Sequence, residues 1–266
     1  MKFDFSFDRR VAQQYDAQRT HPTEVARQIG IAIATQAGGR ATVLEIGIGT
    51  GRIAWPVAAA GCTVVGFDLS REMLAEVFRE KRPFAPNEAP RILQADMHHL
   101  PIGSHQFDAV MAVHVLHLAK DWRQVLKEAA RVLRSGGAFI QGDDWTDPGS
   151  VTGQLRDELR RQAMALSPMT RPPAAGISKQ DYLRELGGSE RETYTAAEWT
   201  TWLSPNERLN TIAQRLDAES WMFSDKIFNI LFQKLQAYAA STWDDLDEKL
   251  PITHRFLLTV SRGNWA

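Results

Sequence analysis

Three acids and three glycines are the part of this sequence whose types and spacing can do chemistry. Glu45, Gly47, Gly49 and Gly51 stand at alternate positions in Val43-Leu44-Glu45-Ile46-Gly47-Ile48-Gly49-Thr50-Gly51-Arg52. Glycines at a strand-to-helix turn let the backbone take positive φ and remove the Cβ atoms that would block a ligand. Asp68 follows 17 residues after Gly51, at the end of a second apolar run. A carboxylate there can accept hydrogen bonds from both ribose hydroxyls of an adenosine; alternatively, it caps the helix that begins next. Asp96 ends a third apolar run. Its carboxylate suits an adenine amino group, with the Met97 N–H meeting a ring nitrogen and the Met97 side chain lying on the ring. A dinucleotide fingerprint, G-x-G-x-x-G, would need glycine at position 52, where this chain has Arg52. The bland alternative for the triplet is a tight turn and nothing more.

His114 and His117 follow a fourth apolar run. An imidazole titrates near neutrality, so either can act as a general base. Each can equally be a partly buried, hydrogen-bonded histidine. Asp143 and Asp144, beyond a fifth strand, are expected to face the same cleft. The loop pair His98-His99 is assigned no chemistry.

These residues need strands to carry them and helices to cover the strands. Val43, Leu44 and Ile46 read as a buried strand, and Ile53, Ala54, Val57 and Ala58 open a helix. Further strands are expected at 63–67, 91–94, 106–114, 138–140, 191–202 and 255–260. Ser70 is a plausible N-cap for a helix from Arg71. Trp122 to Leu133 is amphipathic and stops at Gly136-Gly137. Val25, Ile29, Ala32 and Ile33 mark an amphipathic helix before the first strand. Later helical patterns cover 151–166, 180–186, 205–216 and 227–240. Periodicity alone implies βαβ repeats and a mostly parallel sheet.

Taken in order, Glu-x-Gly-x-Gly-x-Gly at 45–51, Asp68, Gln-Ala-Asp-Met at 94–97, Phe-Asp-Ala-Val at 107–110 and Arg-Val-Leu-Arg-Ser-Gly-Gly at 131–137 resemble the class I S-adenosylmethionine (SAM) dependent methyltransferases. The resemblance covers roughly residues 40–145 and points to the small-molecule branch that includes the ubiquinone- and menaquinone-type enzymes. It implies an α/β, Rossmann-like, seven-stranded sheet of order 3-2-1-4-5-7-6. The sheet is mostly parallel, with the last strand antiparallel and helical cap insertions. SAM is then the cofactor and S-adenosylhomocysteine the product. The residues implied to hold the cofactor are Glu45, Gly47, Ile48, Gly49, Thr50 and Gly51 in the turn, with Asp68, Leu69 and Met73 after the second strand. Asp96 and Met97 complete the adenine end, and Val113 and His114 the fourth strand. In relatives of this type a Tyr-Asp segment before the core folds over the cofactor, so Tyr15 and Arg19 are implied to touch the methionine moiety or the substrate.

The chain is expected to divide into N-terminal lid helices (1–39), a SAM-binding core (40–145), a cap helix with completion of the core (146–202), a helical insertion or cap (203–252) and a last core strand (253–266). Six of the eight tryptophans follow residue 144. They are expected to wall a substrate pocket under the cap, to pack its helices, or to form a homodimer interface. The implied activity is methyl transfer to a small, partly apolar or aromatic molecule. The other readings are a SAM-binding protein without turnover that senses the cofactor or docks a partner, and a nicotinamide-dependent oxidoreductase, which Arg52 opposes.

Composition narrows the partners. The formal net charge is −1 and no basic stripe is visible, which disfavours nucleic acid. The single cysteine, Cys62, reads as a small core residue and fits a reducing cytoplasm. The first residues have acids through their apolar stretch, unlike a signal peptide, and no run approaches the ~18 apolar residues of a membrane span. No metal site is expected. Asn/Asp-Pro-Pro-Tyr after strand four, the cysteines of C5- or arsenic-methylating enzymes and an acid for a catechol-type magnesium site are all lacking.

Overall fold

The apolar runs of the first half form the middle of a seven-stranded sheet. A computed structural model describes residues 20–79, 83–84, 89–166, 180–189, 191–215 and 223–265. In chain order the elements are α1 (Thr23–Ala37), β1 (Thr42–Ile46), α2 (Ala54–Ala59), β2 (Thr63–Asp68), α3 (Arg71–Glu76), β3 (Arg91–Gln94), β4 (Phe107–Val113), a 3-10 turn (Leu116–Leu118), α4 (Trp122–Val132), β5 (Leu133–Thr146), α5 (Val151–Leu166), α6 (Gln180–Glu185), β6 (Glu192–Leu203), α7 (Pro205–Ala213), α8 (Asp225–Thr242) and β7 (Leu250–Arg262). The strand order is β3-β2-β1-β4-β5-β7-β6, as the resemblance implied. Strand β1 pairs in parallel with β2 and β4, β2 with β3, and β4 with β5. Side-chain pairs Thr193–Thr259, Glu198–Arg255 and Thr201–His254 advance in opposite directions along β6 and β7, which makes that pair antiparallel.

The chain divides into two units, each with its own core. Among the described residues, the sheet unit lies within 20–143, 180–197 and 256–265. Its central strands are buried, so β1 and β4 read as continuous apolar runs. Leu44, Ile46, Phe67, Val110, Leu126 and Phe139 share one core. Trp265 closes that core and donates its indole N–H to the Gly137 carbonyl at 2.8 Å. It is therefore a packing residue, not a pocket wall.

Helix α1 belongs to this unit. It buries Val25, Ile29, Ile33 and Ala34, while Ala32, expected on that stripe, is half-buried. The reason for its close docking is Gly30: a Cβ there would lie 2.4 Å from the Pro56 carbonyl oxygen of α2.

Among the described residues, the helical unit holds 144–166, 198–215 and 223–255. Val151, Leu155 and Leu159 of α5 meet Leu209 and Ile212 of α7 and Phe228, Leu231 and Leu235 of α8. Helix α7 starts in a capping box, with Ser204 accepting from the Glu207 N–H and Glu207 returning a bond to the Ser204 N–H. Trp243 stands edge-on to Tyr238, Trp199 stacks on His254, and Arg255 lies over Trp145. Trp202 is exposed, and Trp221 lies outside the described residues.

Two strands run further than the apolar runs suggested. Strand β5 continues to Thr146, so Asp143 and Asp144 sit within it, and β7 spans Leu250–Arg262. No helix among the described residues is long and apolar enough to cross a membrane.

Candidate cofactor site

Strand β1 ends at Ile46 and delivers the glycine turn to the edge of the sheet unit. Gly47 has φ +70°, and a Cβ there would lie 2.3 Å from Val115 Cγ2. No other residue fits that backbone and that gap. The turn is pinned from below: the Ile48 N–H donates to the Phe67 carbonyl at 2.9 Å. The Ile48 side chain occupies the space that a side chain at Gly66 would need, 2.2 Å from an added Cβ. Ile48, Thr50 and Gly51 thus build the turn, and none of them lines the cavity it borders.

Asp68, the last residue of β2, closes the turn. One carboxylate oxygen accepts the Gly49 N–H at 2.9 Å and the other the Ser70 N–H at 2.9 Å. The N-cap of α3 is Ser70, whose hydroxyl accepts from the Met73 N–H at 3.1 Å. The capping alternative for Asp68 is thereby settled against it. Burial pushes the Asp68 carboxyl upward, against the pull of the N–H groups of Ser70, Gly49 and Leu69. With about four acceptor positions, the carboxylate keeps capacity for a ligand.

Glu45 lies beneath the turn at 2% exposure. Burial pushes its carboxyl well above the usual range. The Arg52 charge draws it partly back, and Asp68 adds to the rise. Its Oε2 is buried with no hydrogen-bond partner. Arg52 in turn approaches His21, 3.3 Å from Nδ1, and His21 stands edge-on to Phe256.

The second wall comes from the loop after β3 and the end of β4. Asp96 Oδ1 accepts the His98 N–H at 2.9 Å and lies 2.6 Å from His98 Nδ1. These bonds hold the Asp96 carboxyl below its usual range. Helix α4 clamps the rest of the loop: Glu128 accepts the Leu100 N–H at 2.8 Å, and Arg131 donates to the Ile102 carbonyl at 2.8 Å. His114 follows β4 with φ +49°, a left-handed conformation that costs a non-glycine residue roughly 1–2 kcal/mol.

Between these walls lies a cavity of about 260 Å³. Of the residues that the resemblance assigns to the cofactor, Gly47, Gly49, Asp68, Leu69, Met73, Asp96, Met97, Val113 and His114 line it. It also takes in Phe67, Ala95, His98, Val115, Leu118 and Lys120, which the sequence reading missed. Their signal was weak: His98 reads as half of a loop pair, and Leu118 and Lys120 lie in the irregular stretch after β4. His117 is exposed on the 3-10 turn and outside the cavity. Glu45 lies behind it. Asp143 accepts from Gln141 at 2.8 Å and does not line the cavity. Tyr15 and Arg19 lie outside the described residues. Among the described residues, no group of three or more His, Cys, Asp or Glu side chains is placed to hold a metal ion.

The cavity has the polarity of a nucleoside site. Acids stand at Asp68 and Asp96, an apolar bed of Phe67, Leu69 and Met97 lies along it, and a side-chain-free cradle opens at Gly47 and Gly49. The set fits SAM in kind: carboxylates that can accept from ribose hydroxyls and an adenine amino group, and an apolar bed for a flat base.

Residues 44–141 match a family model described as a methyltransferase domain. The chain is 31% identical to a phosphatidylethanolamine N-methyltransferase of Cereibacter sphaeroides, over 47% of this chain and 61% of that protein. It is 32% identical to a demethylmenaquinone methyltransferase of Clavibacter sepedonicus, over 63% of this chain and 66% of the other. The chain thus spans less than two thirds of the length of either relative. The crystal structure of YcgJ from Bacillus subtilis superposes with a TM-score of 0.55 over 90% of this chain and 99% of that one, at 18% identity. Fold and family match together identify residues 44–141, within the sheet unit, as a class I SAM-dependent methyltransferase domain. SAM is the cofactor of that class.

Proposed function

We propose that this chain transfers a methyl group from SAM to a small, partly apolar or aromatic acceptor by in-line displacement. The observation that carries this reading is the cavity that joins the Gly47–Gly49 cradle to Asp68 and Asp96 in one unit. Bound SAM supplies a methyl group already activated by a sulfonium. The protein's part is then to hold the reactants in line and exclude water, a contribution of about 7–11 kcal/mol in favourable cases. Asp68 carries the ribose, already oriented by the Gly49 and Ser70 N–H groups. Asp96 and Met97 carry the adenine, and Leu69 and Met73 cover the nucleoside. Where the acceptor's nucleophile holds a proton, we assign the general base to His114, which lines the cavity, rather than to His117, which does not.

The relatives' names include a phospholipid and a quinone precursor. These favour an acceptor with a large apolar part, and they set the screen: phenols, quinones, amines and carboxylic acids with apolar substituents. The test is calorimetric titration with SAM, S-adenosylhomocysteine and NADH, followed by a radiolabelled methyl-transfer screen. Micromolar binding of the first two, none of NADH, and labelled product support the reading. NADH binding without SAM binding overturns it. SAM binding with no turnover across the screen favours a cofactor-binding protein instead.

A further inference from the structure

We propose that His98 is a positioning residue that sets the adenine selectivity of this site by holding Asp96. The inference rests on the functional reading above and extends it to a residue outside every motif quoted for the resemblance. His98 is tied at four points. Its N–H donates to Asp96 Oδ1 at 2.9 Å, and its ring Nδ1 lies 2.6 Å from the same oxygen. Its Nε2 accepts the Asp121 N–H at 3.3 Å, and its carbonyl accepts from Gln124 Nε2 at 3.1 Å.

The Asp121 bond fixes the tautomer. With Nε2 accepting, the ring proton sits on Nδ1 and donates to Asp96. The imidazole is thus a strut between the N-terminus of α4 and the Asp96 carboxylate. The strut is well shielded while its target is not: the side chain of His98 is 16% exposed and that of Asp96 49%. A half-exposed aspartate without such a brace samples several rotamers. Here one oxygen is committed to His98 through two bonds, which constrains where the other oxygen points. A carboxylate oxygen accepts and cannot donate while ionised. It therefore suits the exocyclic amino group of adenine and repels the carbonyl oxygen that hypoxanthine carries in its place. Selectivity of this kind depends on the acceptor being held still, because a mobile carboxylate can turn away from the wrong base.

The experiment compares dissociation constants for S-adenosylhomocysteine and its inosine analogue in wild type, Asp96→Ala, His98→Ala, His98→Leu and His98→Asn. Wild type is expected to prefer the adenine compound at least about tenfold. Asp96→Ala should lose most of that preference. His98→Ala and His98→Leu, which remove the donor, should bring the ratio at least about fivefold closer to unity. His98→Asn, whose amide can replace the Nδ1 donor, should recover much of it. A purely structural role for His98 would weaken both ligands together and leave the ratio intact. An unchanged ratio in the donor-free variants, in a protein that binds S-adenosylhomocysteine and in which Asp96→Ala loses the preference, overturns the proposal and leaves the functional reading standing. Failure of wild type to bind S-adenosylhomocysteine overturns both. If one donor-free variant does not fold, the other is read against His98→Asn on the same ratio.

Discussion

Glu45 is a buried carboxyl that burial keeps protonated well above the usual carboxylate range. An acid whose folded value is raised contributes its full stability below the unfolded value and loses it as pH rises through the folded one. Glu45→Gln removes that titration while keeping the shape. The Tm difference between variant and wild type, read by scanning calorimetry, should therefore grow in the variant's favour as pH rises above the usual carboxylate range. A flat difference would mean that Arg52 already holds Glu45 ionised. His114 offers a second test, because its backbone and its side chain can be separated. His114→Gly relieves the positive φ at that position. It should leave the S-adenosylhomocysteine dissociation constant within about twofold. If the imidazole is the base, kcat should fall by about 10²- to 10⁴-fold. Equal kcat would restrict His114 to lining the site. At this scale the sequence was readable wherever a residue's type was forced by backbone or charge, as at Gly47, Gly49 and Asp68. His98 was not readable, because its meaning comes from Asp121, 23 positions away, and from a loop whose path no periodicity encodes.

Among the elements, the β1–α2 and β2–α3 turns carry the site, and each is held by a neighbour of unexpected kind. Gly66 lies mid-strand, where glycine ordinarily weakens a strand. Its use is to admit Ile48, which keeps the glycine turn down against β2. Gly66→Ala places a Cβ about where Ile48 Cδ1 sits. It should cost roughly 1–3 kcal/mol of stability by overpacking. Because Ile48 must rise, it should also weaken S-adenosylhomocysteine binding in isothermal titration, whereas pure overpacking would leave that affinity alone. The apolar runs announced β1, β2, β3 and β4 nearly to the residue. They announced β5 and β7 only in part, because outer residues of these strands, Asp143, His254 and Arg255, are polar and satisfied by side-chain partners rather than by burial. Helix α1 shows the same limit from the other side. Its amphipathic stripe was plain, but what it packs on depends on Gly30 and Pro56, a contact no local pattern contains.

As a whole molecule the chain is two compact units, and the resemblance centres on one of them. The helical unit stands on Leu231 and Leu235 of α8, both fully buried. Leu231→Ala should destabilise it by about 2–5 kcal/mol, seen as faster amide exchange in α5 and α8. The sheet unit carries the other whole-molecule property in Leu69, which stands 68% exposed and lines the cavity together with Met97 and Phe67. An apolar surface of this kind orders water until something flat and poorly hydrated covers it. Its covering should appear as a negative heat-capacity change when the enthalpy of S-adenosylhomocysteine binding is followed across temperature. Adenosine alone should reproduce most of that change and methionine almost none, so the thermal signature of the site would belong to the base while the chemistry belongs to the sulfur.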